Sequence, residues 1–478
     1  MTDDGTLGPR SAGIAAPGLT VWAILRVFLP LSLSDVIMIL SGPILTIGLA
    51  RLAAPETSLA AYSVAQNVAI LIESPIIMLL HASTALTRYR GLYRPLWRFM
   101  VAANLALTAL YLAVAFTPLF DLVFRGVLGQ PPAVVAAARP AFQLMLLWPA
   151  AIGWRRFYQG VLINRRQAGR VALAGLARLG SLALVTFLGV VLRAPGAALA
   201  GLALAVSVIA EAVAVTLFAW KGRPRGGGIG RPEGSGGRGE SREDLGEGAE
   251  EATEPPPAWA PRTVRAIARW YRPLAMTQVL VWSVRPLING GIARTVSPEV
   301  GLAAWPVAWS TVIMVANSVR AVQQLTLSLL SGEPEYRLLR RFVWAAGLVA
   351  SAVMALLAFT PLGLGYMRWV LGLRGGLEEI ALAALPALKV AVGYPLLVAL
   401  QNWLQGLLIR SGRPRLVNAA AVVGGLVTVA VVYAGALIWR LPGAVLGAVA
   451  LVTGLLAELG VLFVTVRRAE GLPWSSAH

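Results

Sequence analysis

The sequence contains no cysteine and only two histidines, His81 and His478. The lack of cysteine excludes disulfide bonds, thiolate catalysis and cysteine-ligated metal sites, and two isolated histidines do not make a histidine metal cluster. Motifs of common enzyme classes are missing too, since the chain has no HExxH, GxSxG or P-loop pattern. We therefore predict no catalytic residue, no metal site and no cofactor, and we expect that the protein is not an enzyme.

Charged residues are also scarce: they make up 13% of the chain, against 57% for hydrophobic residues. The apolar residues form runs of about twenty, which is the length that an α-helix needs to cross the hydrocarbon core of a bilayer. These runs do not alternate between apolar and polar residues, and this excludes a membrane β-barrel. The pattern predicts an all-α integral membrane protein whose surroundings are the lipid bilayer.

The formal net charge of +19 does not indicate binding to nucleic acid. The basic residues lie mostly between the apolar runs, and they cluster in alternate loops, as with Arg88 and Arg94 or Arg340 and Arg341. The positive-inside rule assigns these loops, and with them both termini, to the cytoplasm. We expect a multi-pass protein of the plasma (inner) membrane with both termini cytoplasmic.

The chain contains an internal repeat. The stretch PLSLSDVIMILSGPILTIGLARLAAPETSLAAY from Pro30 aligns without a gap to PLAMTQVLVWSVRPLINGGIARTVSPEVGLAAW from Pro273, at an offset of 243. The offset becomes 246 by Pro140 and Pro386, and it is 247 at Glu211 and Glu458. The two halves of the chain are therefore duplicates.

Each half contains six apolar runs, so we predict twelve transmembrane helices in two six-helix bundles. Because six is even, both halves enter the membrane from the same side, and a pseudo-two-fold axis along the membrane normal relates them. The predicted spans are 27–50, 58–84, 99–119, 140–163, 171–191, 196–220, 270–293, 301–330, 342–362, 381–409, 416–438 and 443–466.

The predicted domains follow from these runs. Residues 25–220 and 263–468 form the two bundles, and residues 1–24 and 469–478 are cytoplasmic tails. Residues 221–262 are rich in glycine, proline and charge, with almost nothing to bury, and we predict a disordered cytoplasmic linker.

Residues that both halves share are expected to serve the common scaffold. Pro43 and Pro286 are equivalent and can kink the first and seventh spans, so we assign them to the scaffold as hinges. Glu211 and Glu458 are equivalent as well and lie deep in their helices, which favours structural pairing over a functional role.

Polar residues present in only one half are the better candidates for function. An ionisable side chain in a membrane span costs about 2.5 kcal/mol or more at a helix centre, and such groups usually face the bundle interior. We therefore predict a central cavity in which Asp35 and Glu73 are candidates for coupling to H⁺ or Na⁺. The predicted substrate-binding residues are Arg285 (opposite Gly42), Asn289 (Thr46), Gln278 (Asp35), Arg320 (Ile77), and Arg155 and Arg156 (Gln401 and Asn402).

Each of these residues has a structural alternative. Arg320, Arg155 and Arg156 could extend to the cytoplasmic interface. Arg285 could be a buried tether to Glu73, or to carbonyl groups that Pro286 leaves without a donor. Asp35 could equally be a neutral hydrogen-bonding partner rather than a proton or cation site.

The chain resembles the multidrug and toxic compound extrusion (MATE) transporters of the multidrug/oligosaccharidyl-lipid/polysaccharide (MOP) exporter superfamily. The resemblance lies in the two six-span halves, an early Leu-Pro-Leu and the Arg-Arg-Phe-Tyr-Gln-Gly stretch at 155–160. Residues 283–289, Ser-Val-Arg-Pro-Leu-Ile-Asn, are similar to a stretch of the progressive ankylosis protein branch, whose members are linked to anion export. The family's first-span aspartate lies nearer the position of Pro43, so Asp35 departs from that pattern.

The resemblance implies two bundles that rock between inward-facing and outward-facing states, with a small-molecule substrate at their interface. Together with the arginines, it predicts a secondary transporter, an exporter, of a small anionic or amphipathic solute. The alternatives are a flippase for a lipid-linked precursor, in which the cavity would hold a pyrophosphate head group, and a MATE-type multidrug or cation antiporter. We expect a monomer.

Overall fold

In the computed structural model, every regular element is a helix within the residues that it describes, which are 20–22, 24–26, 28–29, 32, 40–89, 91–165, 167–221, 255–256, 260–330, 332–411, 413–439 and 441–468. The coupling candidate Asp35 lies outside these residues, as do the C-terminal tail and most of the N-terminal tail and the predicted linker.

Eight helices of eight or more residues follow one another in the part of the first half that the structure describes. They are α1 (Ser41–Leu49), α2 (Pro55–Ile77), α3 (Leu79–Leu86), α4 (Tyr93–Phe116), α5 (Pro132–Leu144), α6 (Trp148–Asn164), α7 (Ala168–Val191) and α8 (Gly196–Lys221).

The second half repeats this order, and each of its helices corresponds to the one numbered eight lower. Its helices are α9 (Val264–Ile292), α10 (Pro298–Asn317), α11 (Val322–Leu329), α12 (Glu333–Phe359), α13 (Glu378–Val390), α14 (Tyr394–Arg410), α15 (Pro414–Ala434) and α16 (Gly443–Arg468).

The changes in offset between the halves correspond to two local insertions. A 3₁₀ turn at Gly375–Leu377 supplies the three residues that raise the offset from 243 to 246. A π-helix at Gly435–Trp439 then takes up the single residue that raises it to 247. On either side of this π-helix the packing is retained, because Gly189 lies against Leu199 in the first half as Gly435 lies against Leu446 in the second.

Eight helices within the described residues are long and apolar enough to span a membrane, or ten if each of two bent pairs forms one span. The bent pairs are α5 with α6, at 45°, and α13 with α14, at 49°. The predicted seventh span coincides with α9, which is 29 residues long but less apolar because it contains four arginines. Most of the inner part of the predicted first span lies outside the described residues.

The centre of the molecule is formed by α2, α8 and α10. The membrane-length segments that contain them are 50%, 56% and 67% buried, whereas the segments of α4, α7, α12, α15 and α16 are at most 33% buried and carry the apolar outer surface. Helix α2 packs against both α9 and α10 and is thus the main contact between the halves. This arrangement places the predicted site residues of the two halves on either side of α2.

Candidate substrate and coupling site

A buried ionic cluster lies inside the first half. Arg155 on α6 donates a hydrogen bond to the Glu211 carboxylate on α8, and Gln159 Nε2 donates to Glu211 Oε1 at 2.9 Å. Arg178 on α7 approaches the same carboxylate, with Nε 3.9 Å from Oε2. Because Arg155 and Glu211 are only 5% and 3% exposed, this cluster is an interior feature, and Arg155 does not extend to the membrane interface.

Two glycines let α6 lie close to its neighbours and so position the cluster. A Cβ atom on Gly153 would stand 1.9 Å from Asn104 Oδ1, and one on Gly160 would stand 2.5 Å from the Ser83 Cβ. The close approach is fixed by a hydrogen bond from Ser83 Oγ to the Phe157 carbonyl at 2.8 Å. Helix α6 is therefore held at a depth that presents Arg155 and Gln159, one turn apart, to α8.

Glu73 on α2 belongs to the same cluster. It is 5% exposed, and its electrostatic neighbours are Arg155, Arg156 and Arg178. Arg285 is not among the electrostatic neighbours of Glu73 within the described residues, so the structure does not show the alternative in which Arg285 is tethered to Glu73. Arg156 also keeps a buried Nε without a hydrogen-bond partner in the described residues.

Arg285 lies against an aromatic ring of its own helix. Its guanidinium Cζ is 4.5 Å from the centre of the Trp282 ring, and Trp282 Nε1 donates to Gln278 Oε1 at 3.1 Å. Gln278, Trp282 and Arg285 occupy one face of α9, since they are four and three residues apart. Within the described residues Arg285 forms no ion pair or hydrogen bond, and its guanidinium is stabilised by the cation–π contact with Trp282 but has no counter-charge.

Tyr62 on α2 lies near arginines of both halves. The buried Tyr62 phenol has both Arg178 of the first half and Arg285 of the second half as electrostatic neighbours. Arg285 in turn has Tyr394 on α14 and Arg320 as neighbours. The positive groups of both halves thus converge on the central helix.

Two of the predicted binding residues occupy different environments. Asn289 is fully buried between the halves, where its Nδ2 lies 3.4 Å from Ser63 Oγ and its backbone carbonyl accepts from Gln130 Nε2 at 3.2 Å. Arg320 lies in the turn between α10 and α11, and its side chain is exposed. Asn289 therefore connects the halves, and the interfacial alternative stays open for Arg320.

The two hinge candidates are both buried prolines in helices. Pro43 is in the first turn of α1, and Pro286 is within α9, which continues without interruption from Val264 to Ile292. Their role as hinges stays a prediction.

Sequence reasoning missed Arg178, although one signal could have found it. At an offset of 246, Arg178 stands opposite Gly424, so it belongs to the residues present in only one half. A Cβ atom on Gly424 would lie 3.4 Å from Glu458 Oε2, in the place that corresponds to the Arg178 contact with Glu211. In the second half, Glu458 instead accepts from Gln405 Nε2 at 3.0 Å.

A pair of equivalent arginines joins the halves at the end of the molecule that carries Arg51 and Arg294, which we call the outer end. Arg294 Nη1 donates to the Leu128 carbonyl at 3.1 Å, and Nη2 donates to the Val127 carbonyl at 3.2 Å. Arg51 approaches the equivalent loop of the other half, where a Cβ on Gly372 would be 3.1 Å from its Nη1. Two contacts between the halves, one made by Arg294 and one by Arg51, therefore close the outer end.

Solved structures of transporters share this architecture. An inward-facing MATE family transporter of the MOP superfamily superimposes with a TM-score of 0.63 over 93% of this chain and 99% of that chain, at 14% identity. The chain has the fold of the MATE transporters. An outward-facing MATE family transporter matches with a TM-score of 0.56 at 14% identity, covering 92% of this chain and 93% of that one.

The lipid II flippase MurJ, in an inward closed conformation, has this fold as well. Its TM-score is 0.59 at 12% identity, over 91% of this chain and 87% of that chain. No protein-family model matches the sequence, and no curated protein matches it significantly. The MATE fold confirms the prediction of an all-α multi-pass membrane protein with twelve helices in two bundles.

Proposed function

We propose that the protein is a secondary active transporter, an exporter, that moves a small anionic solute by alternating access between its two bundles. The observation that carries this proposal is Arg285, a cation near the interface of the halves that has no carboxylate partner in the described residues. The MATE fold supports the alternating-access part, because transporters with this fold have been solved in inward-facing and outward-facing conformations.

The charges around the central helix favour an anion over a cation. Four arginines, Arg155, Arg156, Arg178 and Arg285, face or adjoin this region, against the two carboxylates of Glu73 and Glu211. Guanidinium groups bind carboxylate and phosphate through paired N–H donors. A cationic drug would meet an excess of positive charge here, and this disfavours a multidrug or cation antiporter.

In this mechanism Arg285 is the primary ligand of the anion. Trp282, held by Gln278, fixes the guanidinium in a position that the solute can reach, and Tyr62 and Tyr394 offer hydroxyl donors nearby. The first-half cluster provides the positive field that draws the anion toward α2. Rocking of bundle 25–220 against bundle 263–468, joined through the cytoplasmic linker 221–262, would then expose the anion to the other side.

Transport in proteoliposomes tests the proposal. Citrate, pyrophosphate and a cationic dye are compared, and we expect uptake of an anion that Arg285→Ala lowers about tenfold or more, as for loss of a charged ligand. Arg337→Ala is the matched control, because in the described residues the ion pair of Arg337 is an exposed one with Glu333 within α12. Dye movement without anion movement, together with normal activity of Arg285→Ala, would exclude the anion site.

A lipid-linked precursor flippase is the second candidate, and the shared fold of the lipid II flippase MurJ favours it. In that case the same arginines would hold a pyrophosphate head group while the lipid chain remained in the bilayer. Movement of a fluorescent lipid pyrophosphate between leaflets, with no uptake of citrate or inorganic pyrophosphate, would select this function.

The remaining assignments belong to the same proposal. The protein would act as a monomer in the plasma (inner) membrane with both termini in the cytoplasm, and an H⁺ or Na⁺ gradient would drive it through Asp35 or Glu73. Transport measured with each gradient imposed separately identifies the coupling ion.

A further inference from the structure

An apolar groove of about 480 Å³ lies between α6 and α8 of the first half. Its volume falls within the roughly 300–1,000 Å³ typical of ligand pockets. The side chains that line it include Ala150, Ala151, Trp154, Ala212, Thr216 and Trp220. It faces the outside of the bundle, because Val213 and Trp220 in its wall are 52% and 57% exposed.

The internal repeat explains why this groove is open. At the offsets of 246 and 247, the groove residues Ala150, Ala151 and Ala212 correspond to leucines in the second half, namely Leu396, Leu397 and Leu459. Thr216 corresponds to Phe463 in the same way. Small side chains at Ala151, Ala212 and Thr216 thus contribute to the space between α6 and α8, whereas Leu396, the counterpart of Ala150, packs against Gly347 of α12.

Two arginines lie at the end of the groove near Lys221. Arg165 Nη1 donates to the Ala219 carbonyl at 2.8 Å, and Arg170 Nη1 donates to the Phe218 carbonyl at 3.1 Å. Both carbonyl groups are one residue away from groove residues Leu217 and Trp220. The exact counterparts in the second half are Ser411 and Leu416, and arginines lie one residue before each of them, at Arg410 and Arg415.

The length of the groove fits one leaflet of a bilayer. Along α8 it extends from Ile209 to Trp220, which is about 16 Å at 1.5 Å per residue, or about half of a 30 Å hydrocarbon core. Trp220 is next to the last residue of α8, where tryptophan is favoured at the boundary between lipid and water. The groove therefore has an apolar part that fits an acyl chain and a positively charged end that fits the negative phosphate of a phospholipid.

We propose that this groove is a binding site for an anionic phospholipid, with one acyl chain between α6 and α8 and the phosphate on Arg165 and Arg170. A guanidinium carries five N–H groups, so Arg170, whose Nη1 donates to the Phe218 carbonyl and to Gln167 Oε1, keeps donors on its other nitrogens for a phosphate, and Arg165 adds positive charge beside it. The site is separate from the substrate region, because Trp154 lines the groove while the adjacent Arg155 faces the bundle interior. In the predicted orientation the lipid belongs to the cytoplasmic leaflet, which is rich in anionic lipids.

Native mass spectrometry of the full chain in detergent tests this site without any transport assay. Phosphatidylglycerol and phosphatidylcholine with the same acyl chains are added separately, and we expect one tightly retained lipid with a preference for phosphatidylglycerol. Arg165→Gln with Arg170→Gln should lower the retention of phosphatidylglycerol about tenfold and leave phosphatidylcholine unchanged. Arg467→Gln with Arg468→Gln, at the same end of α16, is the control and should retain phosphatidylglycerol normally.

Filling the groove with the second half's own side chains gives an independent test. Ala150→Leu, Ala151→Leu and Ala212→Leu together should abolish the retained lipid of either kind, and Ala212→Leu alone serves if the triple variant does not fold. Retention of lipid by a folded groove-filled variant would overturn the proposal. Equal loss of phosphatidylglycerol in the control at α16 would overturn it too, because the preference would then reflect overall charge.

Discussion

Two glutamates at equivalent positions of the repeat meet different partners. Glu211 is surrounded by Arg155, Arg178 and Gln159, whereas Glu458 accepts a hydrogen bond from Gln405. Glu211→Gln removes the carboxylate that pairs with Arg155 and Arg178 and leaves these cations only the attraction of Glu73, so we expect it to destabilise the protein by about 3 kcal/mol. The melting temperature of the purified protein in detergent measures this loss.

Glu458→Gln is the matched control for this prediction. It retains the shape and one hydrogen-bonding oxygen, and no arginine loses a partner in the part of the chain that the structure describes. We expect a change of about 1 kcal/mol or less. Similar decreases in melting temperature for the two variants would show that the Arg155 ion pair does not stabilise the first half.

The comparison of the two halves predicted some individual residues well and others poorly. It selected Arg155, Arg156 and Glu73, which do lie together in the first-half cluster. It also selected Asn289, yet this side chain is buried against Ser63, because one sequence does not show which side of a helix faces a cavity and which faces another helix. Arg178 was missed although the same comparison could have selected it, because either offset sets it opposite a glycine, Gly424 at 246 or Gly425 at 247.

At the level of helices and loops, the outer end offers a test of alternating access. Arg294→Ala removes the hydrogen bonds to the Val127 and Leu128 carbonyls, so we expect the two halves to separate there more often. Because the chain has no cysteine, spin labels can be attached to Val127→Cys and Val296→Cys, both exposed, without prior substitutions. Distances between these labels should shift to longer values in Arg294→Ala.

The control for the outer end is Arg125→Ala, an exposed arginine on the same loop. The second contact can be labelled at the equivalent positions, Ala53→Cys and Val370→Cys, and should respond to Arg51→Ala. Distances that do not change in either arginine variant would mean that these contacts do not hold the outer end closed.

The apolar runs predicted where helices occur but not where they bend. The runs 140–163 and 381–409 were each expected as one span, whereas each contains a break, near 145–147 and 391–393. A proline lies just after each break, at Pro149 and Pro395. Hydropathy does not detect such bends, because a bent helix pair and a straight helix are equally apolar.

For the whole molecule, contacts between the halves should keep them together without a covalent link. A protease site inserted within the predicted linker, for example after Gly234, allows the chain to be cut once after folding. We expect the two fragments to elute together in size-exclusion chromatography, because α2 packs directly on α9 and α10. Fragments that separate in mild detergent would show that the linker is needed to hold the bundles together.

The architecture of the whole molecule was the most predictable level. The repeat, the even number of spans per half and the arginine-rich loops define two equivalent bundles, and the MATE fold confirms this arrangement. The substrate could not be derived in the same way, because it depends on a few charges whose surroundings only the packing of α2 against both halves reveals.

The π-helix at Gly435–Trp439 shows how a duplicated membrane protein tolerates the insertion of one residue in one of its two copies. One additional codon inside a regular helix rotates every later side chain by about 100°, which would turn lipid-facing residues of the span toward its partners. Here a single wide turn absorbs the rotation at the end of the span, and Leu446 of α16 lies against Gly435 as Leu199 of α8 lies against Gly189. After duplication, the two copies could therefore diverge in length as well as in sequence without losing their common fold.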